Sequence, residues 1–203
     1  MDGENSMELK PIVKYLKSLI IHKFYVLIAC FKCGLYWRGI VHDICKLHPI
    51  EFRAYVKKFG TKDGINAGRD SSGFYEPLDD DNMKEAWKHH CHSSSHHWQY
   101  HCVARNRTLD GAGHAIEVLD MPLKDIEEML ADWWAASKAY NGNGIAAFWK
   151  ANNRRMRFSN KTRKIIVRFH IDFEKFLNGE IKIKPDLAKK SLSDMTIFLK
   201  DVD

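Results

Sequence analysis

The chain of 203 residues sets 32 Lys and Arg against 26 Asp and Glu, giving a formal charge of +6 and a pI near 9.0. That length buries a genuine core without disulfide or metal staples, so stability alone demands no metal. The basic balance favours anionic partners such as nucleotides, other phosphate esters or nucleic acid. Five cysteines, an odd set with no secretory leader before them, point to a reducing cytoplasm and against disulfides.

In chain order, residues 1–8 read as a flexible N-terminus, and residues 9–203 as a single helical domain. Pro11 suits a first helical turn. Ile12, Tyr15, Leu16, Leu19, Ile20, Phe24, Leu27, Ile28 and Phe31 recur at helical spacing, predicting one long helix that ends near Gly34 with His22 in its middle. Its apolar run, Leu19 to Phe31, is interrupted by His22 and Lys23 and falls short of the roughly 20 residues that span a bilayer. A second helix is predicted from Trp37 to Leu47, carrying His42 and Asp43, and a third from Pro49 to a stop at Gly60.

Residues 61–81 are rich in Gly, Asp and Ser and read as a long loop of the kind that often serves function. Asp81 or Asn82 caps the next helix, which runs through a histidine-dense segment: His89, His90, His92, His96, His97 and His101. The run Ser93-Ser94-Ser95 breaks it before a new helix at His96. Met121-Pro122-Leu123 opens a helix with Ile126, Met129, Leu130, Trp133 and Trp134 on an apolar face and Asp125, Glu127, Glu128 and Asp132 as its acids, ended by Asn141-Gly142-Asn143-Gly144. Ser159 caps a last helix reaching Gly179. Strand-like alternation is confined to Ile181-Lys182-Ile183.

His42-Asp43 offers an imidazole nitrogen and a carboxylate oxygen from adjacent positions, a pairing that suits a divalent cation. His22 upstream, the pairs His89-His90 and His96-His97, and Asp132 on a later helix complete a ligand set. His90 and His97 are seven apart and share a face of a continuous helix, as do His89 and His96. We take His90 and His97 as ligands, with His89 and His96 as neighbours that contact a second ion or substrate. Glu51 and Glu128 read either as acceptors behind the ligands or as ordinary helix residues.

Plainer readings stand beside these. An isolated His22 would be a hydrogen-bonded core histidine, and its place ahead of His42-Asp43 is what favours ligation. Asp132 would be a surface carboxylate were it not crowded by Met129, Leu130, Trp133 and Trp134, among which an unpartnered carboxylate is costly. Cys30 and Cys33 have redox or zinc-ribbon spacing but no second pair, and read as core cysteines. The basic stretch with Arg154, Arg155 and Arg163 reads as a solvated face or as a grip for phosphate, with no nucleic-acid module around it.

With His22, the stretch HDICK (His42 to Lys46), the histidine pairs and Asp132, the sequence resembles the HD-domain superfamily of metal-dependent phosphohydrolases and related di-iron oxygenases. The stretches IIHKFYVLIACFKCGL, HDICKLHPIEF, AWKHHCHSSSHHWQY and EMLADWW look more closely like a family of small, uncharacterised bacterial and phage proteins, over most of residues 10–170. The resemblance implies an all-α, single-domain helical bundle around a mono- or dinuclear metal site. Its ligands would be His22, His42, Asp43, His90, His97 and Asp132, and its ions Mn, Fe, Co, Ni or Zn. Lys46 of the HD-x-x-K form would reach substrate, helped by Arg154, Arg155 or Arg163. The expected activity is hydrolysis of a nucleotide or similar small phosphate ester by metal-activated water. The alternatives are an HD-type di-iron oxygenase and a non-catalytic, metal-stabilised binding or inhibitory protein. Composition selects no oligomeric state.

Overall fold

The computed structural model describes residues 9–61, 64, 69–74, 80–105 and 115–188; the expected flexible N-terminus, and much of the 61–81 loop, lie outside these. Seven α-helices stand among the described residues: α1 (Leu9–Lys32), α2 (Tyr36–Val41), α3 (Pro49–Phe59), α4 (Asp81–Ser93), α5 (Leu123–Ala139), α6 (Gly144–Asn152) and α7 (Asn160–Asn178). None of them is long and apolar enough to cross a membrane.

Helix α1 is the spine. It packs along α5 and also meets α2 and α3, while α3 rests on α4 and α5 on α6 and α7. Its buried line is Tyr15, His22, Val26, Ala29 and Cys30, spaced so that all five fall on one side of a 3.6-residue helix. Tyr15 belongs to a small apolar cluster with Tyr55, Val56, Phe59 and Met83. Val26, Ala29 and Cys30 belong to a larger one with Ile126, Met129, Leu130, Trp134, Ile166 and Phe173. His22 sits at the junction, where an apolar residue would otherwise continue the stripe.

Helix α2 is held close to α1 by Gly39, at which an added Cβ would lie 2.8 Å from Cys30 Cβ. Sequence spacing extends this helix to Leu47; the structure ends it at Val41. His42 takes an extended ψ of 128°, Asp43 turns left-handed at φ 56°, and Ile44–Leu47 form a separate 3-10 turn. Asp is one of the few residues that accepts the left-handed region readily, so the step falls where the sequence tolerates it.

Other boundaries differ for local reasons. The cap of α4 is Asp80, whose side chain accepts from Asn82 N at 2.9 Å. After the serines, Ser94 to His97 form a turn and only a 3-10 turn, Trp98–His101, follows, in place of a helix from His96. Helix α6 was hidden by the glycines before it; Gly144 has φ 90° and no space for a Cβ beside Glu174, whose Oε2 accepts from Ala146 N at 3.0 Å. An unforeseen antiparallel hairpin pairs β1 (Cys102–Arg105) with β2 (Ala115–Val118), Cys102 opposite Val118. Residues 181–183 form bends and no strand. Ser159 caps α7 and Gly179 ends it in the left-handed conformation, as the sequence indicates.

Candidate metal centre

Four elements converge beside the junction on α1. The long helix brings His22, and the step after α2 brings His42 and Asp43. Helix α4 and the turn after it bring His90, His96 and His97, and α5 brings Asp132. The extended-then-left-handed backbone at His42-Asp43 lets adjacent residues face one point, which a continuous helix would forbid by sending them about 100° apart.

Asp43 is the hub. Its Oδ2 lies 3.4 Å from His42 Nε2 and 3.9 Å from His22 Nε2. Asp132 Oδ1 closes this side at 3.0 Å from His22 Nε2 and 3.5 Å from His42 Nε2. The other oxygen, Oδ1, is 3.6 Å from the Nε2 atoms of both His90 and His96. His97 Nε2 lies 2.8 Å from His90 Nε2. Four groups with the spacing of shared ligation result among the described residues: His22/His42/Asp132, His42/His96/Glu128, Asp43/Cys45/His90 and Asp43/His96/His97. Asp43 stands between the first group and the His90 and His96 rings.

A second layer of carboxylates backs the ring nitrogens that face away. His42 Nδ1 is 2.9 Å from Glu128 Oε1, and His96 Nδ1 is 3.4 Å from the same oxygen. His90 Nδ1 is 3.1 Å from Glu51 Oε2, whose Oε1 meets His89 Nδ1 at 2.6 Å. Glu51 is fully buried. Arg38 balances the acids on α5, donating to Asp125 Oδ1 at 2.5 Å and Glu128 Oε2 at 2.8 Å. An imidazole whose far N–H is fixed by a carboxylate keeps its near nitrogen as a lone-pair donor, the arrangement that orients histidine ligands.

The atoms at the focus lack hydrogen-bond partners: His42 Nε2, His96 Nε2 and Asp43 Oδ1 are buried and unsatisfied. Each such group costs about 1–3 kcal/mol, and cations on the two sides of Asp43 would satisfy all three. The donor set of imidazole nitrogens and carboxylate oxygens suits Mn, Fe, Co, Ni or Zn. The residues present therefore fit a divalent transition metal on both sides of Asp43.

Electrostatics agree. Burial pushes the His22 and His90 imidazoles below their ordinary value despite their carboxylate neighbours. Burial, with the neighbouring His96 and His90, drives His97 well below it. The shift favours the neutral, ligating form of these rings. Burial acts the same way on His42, but Asp43, Asp132 and Glu128 outweigh it and hold this ring well above its ordinary value. Burial would raise the Asp43 and Asp132 carboxyls; their cationic and imidazole neighbours prevail and keep both well below the usual range. Lys46 Nζ sits 2.5 Å from Asp43 Oδ2 and its ammonium is held charged by that carboxylate against the effect of burial.

A cleft of about 510 Å³ opens onto the centre. His22, Asp43, Lys46, His90, His97 and Asp132 form its floor, and Arg69, Phe74, Trp98, Trp133, Tyr140 and Phe148 contribute to its walls. Arg69 places its guanidinium 5.4 Å from the Tyr140 ring centre and donates to Gly73 O at 2.7 Å.

All six expected ligands, with Lys46, are brought together, and His96 joins them. His89 is not: it stacks on His48 with ring centres 4.5 Å apart and touches Glu51. Glu51 and Glu128 lie behind the His90, His42 and His96 rings, against their Nδ1 atoms. Arg154, Arg155 and Arg163, expected at substrate, do not line the cleft. Arg154 is exposed, Arg155 pairs with Asp70 on the cleft wall, and Arg163 is turned to Met156 O at 2.8 Å and Asn153 O at 3.2 Å. The basic charge near them faces elsewhere because α6 and the turn after it, unseen in the sequence pattern, set their direction. Cys30 and Cys33 are buried core thiols.

Sequence reasoning missed Arg38, Arg69, Tyr140 and Cys45. Cys45 lies inside HDICK with its Sγ 3.2 Å from His90 Nδ1, and burial pushes its thiol up to about 12. A clue to Arg38 was available: three acids on one side of α5, Asp125, Glu128 and Asp132, need counter-charge if that side is buried.

Residues 12–183 match one protein family, described as a family of unknown function (DUF5662). No curated protein matches the chain, and no solved structure does.

Proposed function

The chain belongs to DUF5662, and from its site we propose that it is a metal-dependent phosphohydrolase of the HD-domain type, acting on a nucleotide or similar small phosphate ester. The observation that carries this reading is the Asp43 carboxylate, one oxygen facing His22 and His42, which Asp132 also meets, and the other facing His90 and His96, on an open cleft. His22, His42, Asp43 and Asp132 would hold one ion, and Asp43, His90, His96 and His97 a second.

A divalent ion supplies a bound water of lowered pKa and a Lewis acid for the phosphoryl oxygen. The chain's own residues do the rest. Lys46, charged and fixed on Asp43, presents its ammonium at the cleft floor, where it neutralises charge developing on phosphoryl oxygens. Arg69 adds a guanidinium on the wall, where a second phosphate oxygen or a diphosphate would meet it. Trp133, Phe148 and Tyr140 give apolar faces against which a planar base packs. Glu128 and Glu51 keep His42, His96 and His90 turned inward.

The test is a panel of nucleotides and simple phosphate esters presented to protein loaded separately with Mn, Fe, Co, Ni and Zn. The proposal expects phosphate release that falls at least 100-fold in Lys46→Ala while bound metal is retained, the size of loss typical of one preorganised charge. Metal-loaded protein that releases no phosphate but consumes oxygen when loaded with iron would replace the hydrolase with the oxygenase reading.

A further inference from the structure

Asp125 is a buried carboxylate, 3% exposed, that does not line the cleft. It stands in the first turn of α5, on the same side of that helix as Glu128 and Asp132. Its Oδ1 accepts from Arg38 Nη1 at 2.5 Å and from Ser95 Oγ at 3.0 Å, and its Oδ2 lies 3.6 Å from His101 Nε2. His101 Nε2 also donates to Ser95 O at 2.8 Å. Ser95 is therefore held by both its hydroxyl and its carbonyl.

That hold matters because of where Ser95 stands. His90 is presented by α4 and backed by Glu51, whereas His96 and His97 come from the turn between Ser93 and Trp98. The backbone of this turn closes on itself through His97 N, which donates to Ser94 O at 3.1 Å. Ligands on a turn are placed less firmly than ligands on a helix, and their precision comes from supporting hydrogen bonds. Ser95 precedes both rings, and its bond to Asp125 ties the turn to α5, the helix that carries Asp132. Arg38 extends the chain, donating from the same Nη1 to Glu128 Oε2 at 2.8 Å, and Glu128 Oε1 faces His96 Nδ1 at 3.4 Å. His96 is thus located from α5 through Ser95 and again through Glu128. His22 and Asp132 stand on α1 and α5, and His42 is fixed by Glu128, so that half of the centre does not pass through Ser95.

We propose that Asp125, acting through Ser95, is a positioning residue that decides whether the centre holds its second ion, the one on Asp43, His90, His96 and His97. This rests on the two-ion reading of the site and adds to it a device that controls one half alone. With Ser95 anchored, His96 and His97 converge with His90 on the Oδ1 side of Asp43. Without the anchor the turn relaxes, and that side keeps Asp43 and His90, fewer than the roughly three or four protein ligands of an ordinary transition-metal site.

The experiment reconstitutes the full chain with Mn, counts the bound metal by elemental analysis and records its electron paramagnetic resonance, for wild type, Ser95→Ala, Ser95→Thr and Asp125→Asn. Wild type and Ser95→Thr, which keeps the hydroxyl, are expected to show a magnetically coupled pair of ions. In Ser95→Ala the second ion should bind about 10–100-fold more weakly, the usual loss when a supporting hydrogen bond behind the ligands is removed, and the signal of an isolated ion should replace that of the pair. Asp125→Asn, which loses the charge facing Arg38 and His101, should do the same. Ser95 is half-buried on a turn, so Ser95→Ala carries the test even where Asp125→Asn fails to fold. A Ser95→Ala protein that keeps the coupled pair at wild-type affinity overturns the proposal and leaves the metal centre standing. Loss of both ions together overturns it as well, assigning Ser95 and Asp125 to the scaffold of the whole site, as does a wild type that holds a single ion. A wild type that takes up no metal removes the metal reading itself, and the proposal with it.

Discussion

His42 and Glu128 are joined by a 2.9 Å contact between Nδ1 and Oε1, and this one contact fixes which way the His42 ring faces. With Nδ1 committed to Glu128, the buried Nε2 is left without a hydrogen-bond partner, between Asp43 and Asp132. Glu128 is in turn anchored by Arg38. The centre is thus aligned from behind by a chain of half-buried arginine, buried carboxylate and buried imidazole.

Glu128→Gln retains shape and removes charge. It should lower metal affinity about 10–100-fold, the usual effect of losing the carboxylate behind a histidine ligand. Competition with a chromogenic chelator measures this. An unchanged affinity would show that the His42 ring needs no such support.

Metal uptake near neutral pH should release protons. Burial pushes His22, His90 and His97 below their ordinary value, which favours rings with no proton to lose. The His42 value is raised by Asp43, Asp132 and Glu128 against burial, which favours a proton that a metal ion has to displace. The sign follows: acidification weakens binding first through His42. Calorimetry in buffers of different ionisation enthalpy counts the protons. No release contradicts the assignment.

Much of this centre was legible in the sequence, and the reason is periodicity. His22 and Asp132 stand on long, regular helices whose buried stripes can be read from apolar spacing, and His42-Asp43 is conspicuous as a dipeptide. The choice between neighbours in each histidine pair was only half accessible. His90 follows from the apolar line of Met83 and Ala86 on α4. His96 and His97 lie in a turn, where helical spacing says nothing and both rings face inward. The break at Asp43 was invisible because a single left-handed residue leaves the composition of a helix intact. The cleft walls come from segments far apart in sequence, which is why Arg69 and Tyr140 were missed while Arg154, Arg155 and Arg163 were chosen on local charge alone.

Gly39→Ala tests how tightly the scaffold holds the site. The new methyl would lie 2.8 Å from Cys30 Cβ, an overpacking that costs about 1–3 kcal/mol. Thermal unfolding should shift down by several degrees in metal-free protein. Because α2 leads directly into His42, bound metal should fall as well. A variant with wild-type stability would mean that α2 stands off from α1.

The most direct test of a metal centre organised by Asp43 is elemental analysis of untagged protein, wild type beside Asp43→Ala, each shown to be folded by circular dichroism. The account predicts one or two transition-metal ions per wild-type chain, with loss of most or all of them in the variant because both sides of the centre share that carboxylate. Wild type that binds no metal after reconstitution, or a folded Asp43→Ala that binds as much as wild type, would contradict it.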